Sequence, residues 1–125
     1  MTTTHSTAFR NTICTQLNTA INGGTGNGQI EIQASDNSEV ATVGFAATAF
    51  QAPSAGVMTA NATTADSSAT GGTADHFEFQ DGDGTMHAAG ACGTSGSGAE
   101  MILSTLTIAA TASVTLTSVQ YTAAP

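Results

Sequence analysis

The chain has no lysine and a single arginine, Arg10, against nine carboxylates, for a formal net charge of −8 over 125 residues. That shortage excludes whole classes of function. A nucleic-acid binder neutralises phosphates with clusters of Lys and Arg, and one arginine cannot form a cluster. An anionic membrane surface repels such a chain for the same reason. A lysine nucleophile, a P-loop lysine and a multi-cation phosphate clamp all need side chains that are absent. Tryptophan is absent too, and Tyr121 is the only tyrosine. Stacking platforms for sugars are therefore nearly excluded. No apolar run approaches the ~18 residues of a membrane-spanning helix. Met1 to Ile21 also lacks the basic start and apolar run of a secretory signal.

What is present is Thr, Ser, Ala, Gly and Asn. Only 8% of residues are charged, against about 25% in an ordinary domain. Val, Ile, Leu, Met and five Phe must supply a thin core. Threonine favours strands and glycine favours turns, so the composition leans to all-β. The length suits one domain, residues 1–125.

Hydrophobic spacing divides the chain. Phe9, Ile13, Leu17 and Ile21 recur every four residues, which predicts a helix over 7–22 behind an N-terminal arm, 1–6. Ser6 or Thr7 can cap its start, and Asn22-Gly23-Gly24 can end it in a left-handed turn. From residue 29 the period changes to two. Ile30 and Ile32, then Ala41, Val43 and Phe45, then Met58, Ala60 and Ala62 each share a face. Phe50 reads as a core plug in a loop. Phe77 and Phe79 mark another strand, and Asp81-Gly82-Asp83-Gly84-Thr85 a hairpin turn. Met86, Ala88 and Cys92 follow, interrupted by Gly90, and 93–99 is a Gly/Ser loop. Near the end, Val114 and Leu116 lie on one parity and Val119 and Tyr121 on the other. That slip predicts a bulge at about Thr117-Ser118, or burial of both faces. The expected fold is all-β: a sandwich or barrel of seven to eight short antiparallel strands over 29–122 with one N-terminal α-helix.

Few residues suggest chemistry. Asp81-x-Asp83-Gly84 hints at calcium, but Thr85, Met86 and Cys92 stand where an EF-hand loop needs an acid or amide, Gly and Glu. His76 and His87 are expected to face solvent or a partner. No nucleophile elbow is present. Cys14 and Cys92 could be two buried free thiols, an intramolecular disulfide or intermolecular cross-links; free thiols are the plainest reading. The expectation is no enzyme, no cofactor and no metal. Arg10, on the first turn of the helix, faces the unfavourable end of its dipole, and is expected to be held by a carboxylate.

The order of segments resembles small structural proteins of tailed bacteriophages. The matching stretches are Ala41-Thr42-Val43, Ala49-Phe50-Gln51-Ala52, Gly56-Val57-Met58-Thr59-Ala60-Asn61-Ala62, Ala74-Asp75-His76-Phe77, Asp81-Gly82-Asp83-Gly84-Thr85 and Gly93-Thr94-Ser95-Gly96. His76 replaces a usual aromatic, and Cys92 lies outside the pattern. The resemblance covers roughly residues 8–122 and implies a virion component with no catalytic site, made in a host cytoplasm and released by lysis. The leading expectation is a capsid decoration or cement protein that binds the major capsid protein, as a homo-oligomer such as a trimer. The alternatives are a tail, collar or fibre component, and a receptor- or glycan-binding module. The expected partner interface is the free arm, Met1, Thr2, Thr3, Thr4 and His5, together with Arg10.

Overall fold

Ser6 starts the helix. Its Oγ accepts a hydrogen bond from the Phe9 N–H at 3.2 Å, and α1 then runs Thr7–Ile21. The computed structural model describes residues 3–125, so Met1 and Thr2 lie outside the described residues. The expected glycine stop is not used. Asn22 keeps a right-handed backbone at φ −80°, and the first left-handed residue is Gly26 at φ 82°. The Asn22 side chain shapes the exit instead: its Oδ1 accepts from the Ala49 N–H at 3.0 Å and its Nδ2 donates to Asn18 Oδ1 at 3.1 Å. The apolar stripe is also rotated from its expected position. Cys14 and Ile21 are fully buried, Ile13 and Leu17 half-buried, and Phe9 is 51% exposed with its ring against His5.

The rest is mostly β, as expected: a curled mixed sheet forming a half-barrel, with two smaller sheets beside it. The strands are β1 Gln29–Gln33, β2 Glu39–Gly44, β3 Val57–Thr59, β4 Gly72–Thr73, β5 His76–Gln80, β6 Met86–Gly93, β7 Met101–Ile102, β8 Thr107–Ile108 and β9 Gln120–Thr122. The main sheet has the order β2-β1-β5-β6-β7, and β3 pairs with β9 and β4 with β8. Nine short strands thus replace the expected seven to eight.

Not every pair is antiparallel: β7 runs parallel to β6, with Cys92 opposite Met101. Gly96 and Gly98, at φ 85° and 79°, bend the intervening loop. The Glu100 carboxylate then accepts from the Ala91 N–H at 2.9 Å and holds the returning segment on the β6 edge. The predicted bulge is displaced. Met58 pairs with Tyr121, and the Ala60 N–H donates to the Val119 carbonyl, yet Val114 pairs with Asp66. Five residues, 61–65, therefore face four, 115–118, and the register slips by one. The irregularity is there, but the extra residue belongs to the partner segment, 61–65, and not to 115–118.

Period-two alternation puts Ile30, Ile32, Ala41, Val43, Phe77 and Phe79 on the inner face of the sheet, in one buried cluster. Phe45 and Phe50, each 1% exposed, meet Phe79 with ring centroids 5.6 and 5.9 Å apart. Phe50 is the plug its position suggested. The outer face is a ladder of amides and carboxylates. Gln29 donates to Gln80 at 2.7 Å, Gln80 to Glu78 at 2.8 Å and Gln33 to Glu31 at 3.1 Å. His76 does lie on the face opposite Phe77, but it is half-buried there between Asp75 at 2.7 Å and Gln33 at 2.8 Å.

All nine carboxylates accept hydrogen bonds, and none takes one from Lys or Arg. Asp66 accepts from the Thr42 N–H at 2.8 Å, tying the 64–70 loop to β2, and Asp83 accepts from the Thr25 N–H at 3.3 Å. Asp81 accepts from the N–H groups of Asp83 and Thr85 and meets His87 at 2.9 Å. That contact with His87, then the Thr85 N–H, holds its carboxyl below the ordinary 3.8. Asp36 is lowered by the Ser38 hydroxyl, and Glu100 by the Ala91 N–H, from an ordinary 4.5.

Two outcomes follow. Phe50→Ala empties the centre of the aromatic cluster and should cost about 3–5 kcal/mol, read by denaturant unfolding. Stability against pH should be level above the ordinary carboxyl values of 3.8 and 4.5. Because the folded values lie lower, it should fall as pH drops through them. Thermal unfolding across acid pH reads this, and a melting temperature flat into that range would contradict it.

Candidate docking trough

The half-barrel is open on one side. β5 presents Phe77 and Phe79 there, and the segment from Glu100 to Gln120 wraps round the opening. Together they leave a cavity of about 640 Å³ whose apolar lining includes Leu103, Ile108, Val114, Leu116 and Val119. Ile108 is buried; the other four are half-buried. Gly90 makes the floor possible. It sits opposite Phe77 in the β5–β6 ladder, and a Cβ on it would lie 2.8 Å from the Phe77 ring. The aromatic ring can lie over that backbone only while position 90 is glycine.

The register slip opens a second, smaller cleft of about 290 Å³ between 59–63 and 115–119. Segment 115–119 thus walls both spaces. Its Thr115, Leu116, Thr117 and Ser118 N–H groups find no hydrogen-bond acceptor among the described residues, and the backbone bends at Thr117. Only the Leu116 carbonyl is taken, by the Thr63 hydroxyl at 3.3 Å. Unpaired backbone amides beside an apolar cavity are groups that an added strand can use. The trough is also nearly free of charge. From Gly84 to the C-terminus Glu100 is the sole carboxylate side chain, and there is no Lys or Arg.

Of the residues expected at an interface, Thr3, Thr4, His5 and Arg10 do not line the trough. Thr3 and Thr4 are exposed, and His5 is half-buried against Phe9 with an enclosed Nδ1 that lacks a partner among the described residues. Met1 and Thr2 fall outside the described residues. Arg10 is not held by a carboxylate. Its Nε and Nη2 donate to the Ala123 carbonyl at 3.2 and 3.1 Å. Its guanidinium packs on Gly56, where a Cβ would meet Cζ at 2.6 Å. A carbonyl oxygen serves there because Gly56 and Ala123 are already joined, the Ala123 N–H donating to the Gly56 carbonyl at 2.8 Å. Asn11 and Cys14 bind the same glycine at 2.8 and 3.4 Å.

The trough was not foreseen in the sequence, where 101–122 read as alternating strands with a parity slip at about Thr117-Ser118. The signal available was the loss of charge after Glu100 combined with the parity slip. Comparison with family models, curated proteins and solved structures finds no match for this protein.

Both cysteines are free thiols. Cys92 lies at the edge of the trough, 3.7 Å from the Met101 sulfur, and half-burial, with Asp75 nearby, pushes its thiol up to about 11. At neutral pH its thiolate should be about a hundredfold scarcer than that of an ordinary cysteine. Iodoacetamide labelling followed by peptide mapping should therefore show slow modification that keeps accelerating past pH 9.0. A rate that levels off near that value would overturn the assignment. The raised value also means any stability from the neutral thiol is full below pH 9.0 and is lost towards about 11.

Proposed function

We propose that this protein is a non-enzymatic structural component of a bacteriophage virion, a capsid decoration or cement protein. It acts by accepting an extended, uncharged segment of a neighbouring capsid subunit into the trough. The observation that carries this reading is the conjunction at 115–118 of four unpaired N–H groups with an apolar, almost uncharged cavity. The incoming strand pairs with those of the amides that share one edge, and its alternate apolar side chains fill the space above Phe77 and Phe79. Charge selects the occupant. The outer sheet face carries Glu31 and Glu78, directly opposite each other, whereas the trough has only Glu100 near it, already bonded to Ala91. An uncharged segment enters without desolvating an unpaired ion. The virion setting rests on the order of segments, which resembles that of small phage structural proteins.

Purified protein added to expanded capsids that lack it should bind in fixed stoichiometry and raise their melting temperature. Thr117→Pro deletes one exposed amide donor and cannot accept a strand. It should weaken binding by at least about tenfold while leaving the far-ultraviolet circular dichroism unchanged. Capsids that neither bind the protein nor gain stability would sink the head assignment. Recovery of the protein only with separated tails would transfer it to a tail or collar.

A further inference from the structure

Two Asn-Gly dipeptides bracket the glycine-rich turn that joins α1 to β1: Asn22-Gly23 and Asn27-Gly28. In such a pair the glycine nitrogen can reach Cγ of the asparagine with the least steric hindrance, because no Cβ follows. The structure treats the two pairs in opposite ways. Asn22 is tied at both ends of its amide, to Ala49 at 3.0 Å and Asn18 at 3.1 Å. The Gly23 N–H, which would have to attack, donates to the Ala20 carbonyl at 3.2 Å. Asn27 is exposed, and its side chain makes no hydrogen bond among the described residues. The Gly28 N–H likewise has no acceptor among them, although its carbonyl is bonded by the Phe45 N–H at 2.9 Å. Gly26, just before, has a left-handed φ of 82° and nothing within 4 Å of the position a Cβ would take. Asn27 and the residue before it are thus open to solvent, while Gly28 after it is buried and its carbonyl anchored.

We infer that Asn27 is a site of spontaneous covalent modification, and that Asn22 is protected from the same reaction by its place at the helix end. Hydroxide removes the Gly28 amide proton, and the nitrogen attacks Cγ of Asn27. A new N–C bond closes a five-membered succinimide, the Cγ–Nδ2 bond breaks, and ammonia leaves with a proton from water, which regenerates hydroxide. A second water molecule opens the ring at one carbonyl to give aspartate, or at the other to give isoaspartate. No electron is transferred, and water is the only other reactant. Either product adds a tenth carboxylate to a protein with no lysine. It does so beside the loop where Thr25 already bonds Asp83. Isoaspartate also inserts a carbon into the backbone just before Gly28, a buried position where even a Cβ would collide with Ile21 and the Gln80 carbonyl. The modified protein should therefore loosen at the start of β1.

The test is to hold the folded full-length protein in mildly alkaline buffer and, in parallel, in denaturant. Peptide mapping by mass spectrometry then follows both asparagines. In the folded protein Asn27 should convert at least about tenfold faster than Asn22, because each hydrogen bond that must first open lowers the reactive population. In denaturant the two rates should agree within about twofold, since those bonds are gone. Asn27→Gln should abolish the extra acidic species on ion exchange without affecting the slow reaction at Asn22. An Asn27 that stays intact in the folded protein after the unfolded protein has converted overturns the assignment. So does an Asn22 that keeps pace with it.

Discussion

Nine carboxylates must be accommodated without a single lysine, and the one arginine is spent on a backbone carbonyl. Every carboxylate in the fold consequently rests on donors other than Lys and Arg: backbone N–H groups, Gln amides, Ser and Thr hydroxyls, and two histidines. Hydrogen bonds to a charged acceptor are individually stronger than neutral ones. They therefore serve here as the joints that ion pairs form in more basic proteins. Asp66 fastens a loop to β2, Asp83 fastens the 23–28 turn to the 81–85 turn, and Glu100 fastens the returning segment to β6. The two glycine turns fit together only because both are bare. A Cβ on Gly24 would meet the Gly82 nitrogen at 2.7 Å.

The same economy of charge shapes where the molecule is closed and where it is open. At the helix, Gly56 gathers Arg10, Asn11, Cys14 and Ala123 into one polar knot, so the C-terminal strand is drawn across to α1. Along the trough no comparable group is found among the described residues. The residues after Glu100 carry no charged side chain, and the one-residue mismatch between 61–65 and 115–118 prevents a continuous ladder. The thin core, without tryptophan, leaves the half-barrel unfilled above Phe77 and Phe79. An unclosed ladder and an unfilled cavity meeting at one segment is a geometry that a second polypeptide can complete.

Much of the fold was legible in the residues. Ile30 and Ile32 do face inwards against Val43 and Ala41, Phe50 does plug the core, and Asp81 to Thr85 does turn a hairpin. Ser6 does cap the helix. Errors arose where a long-range contact overrode a local pattern. Phe9 fits a four-residue stripe, but Arg10 beside it is pulled to Ala123, more than a hundred positions away, and Phe9 is left outside. The glycine stop at 23–24 was superseded because the Asn22 side chain found Ala49. A parallel β6–β7 pair was invisible, since periodicity carries no sign of strand direction.

Taken alone, the sequence determined the all-β class, the single helix, the excess of negative charge and the parity slip near the C-terminus. Those are properties of composition and spacing, and no folding is needed to read them. Only the tertiary structure decided which segment faces the slip, that Arg10 serves a carbonyl, and that the residues after Glu100 leave a trough instead of closing a barrel. Each of these depends on which distant residue arrives opposite which. Register across a ladder and the room left above two phenylalanines are set by the packed whole, not by any single stretch of sequence.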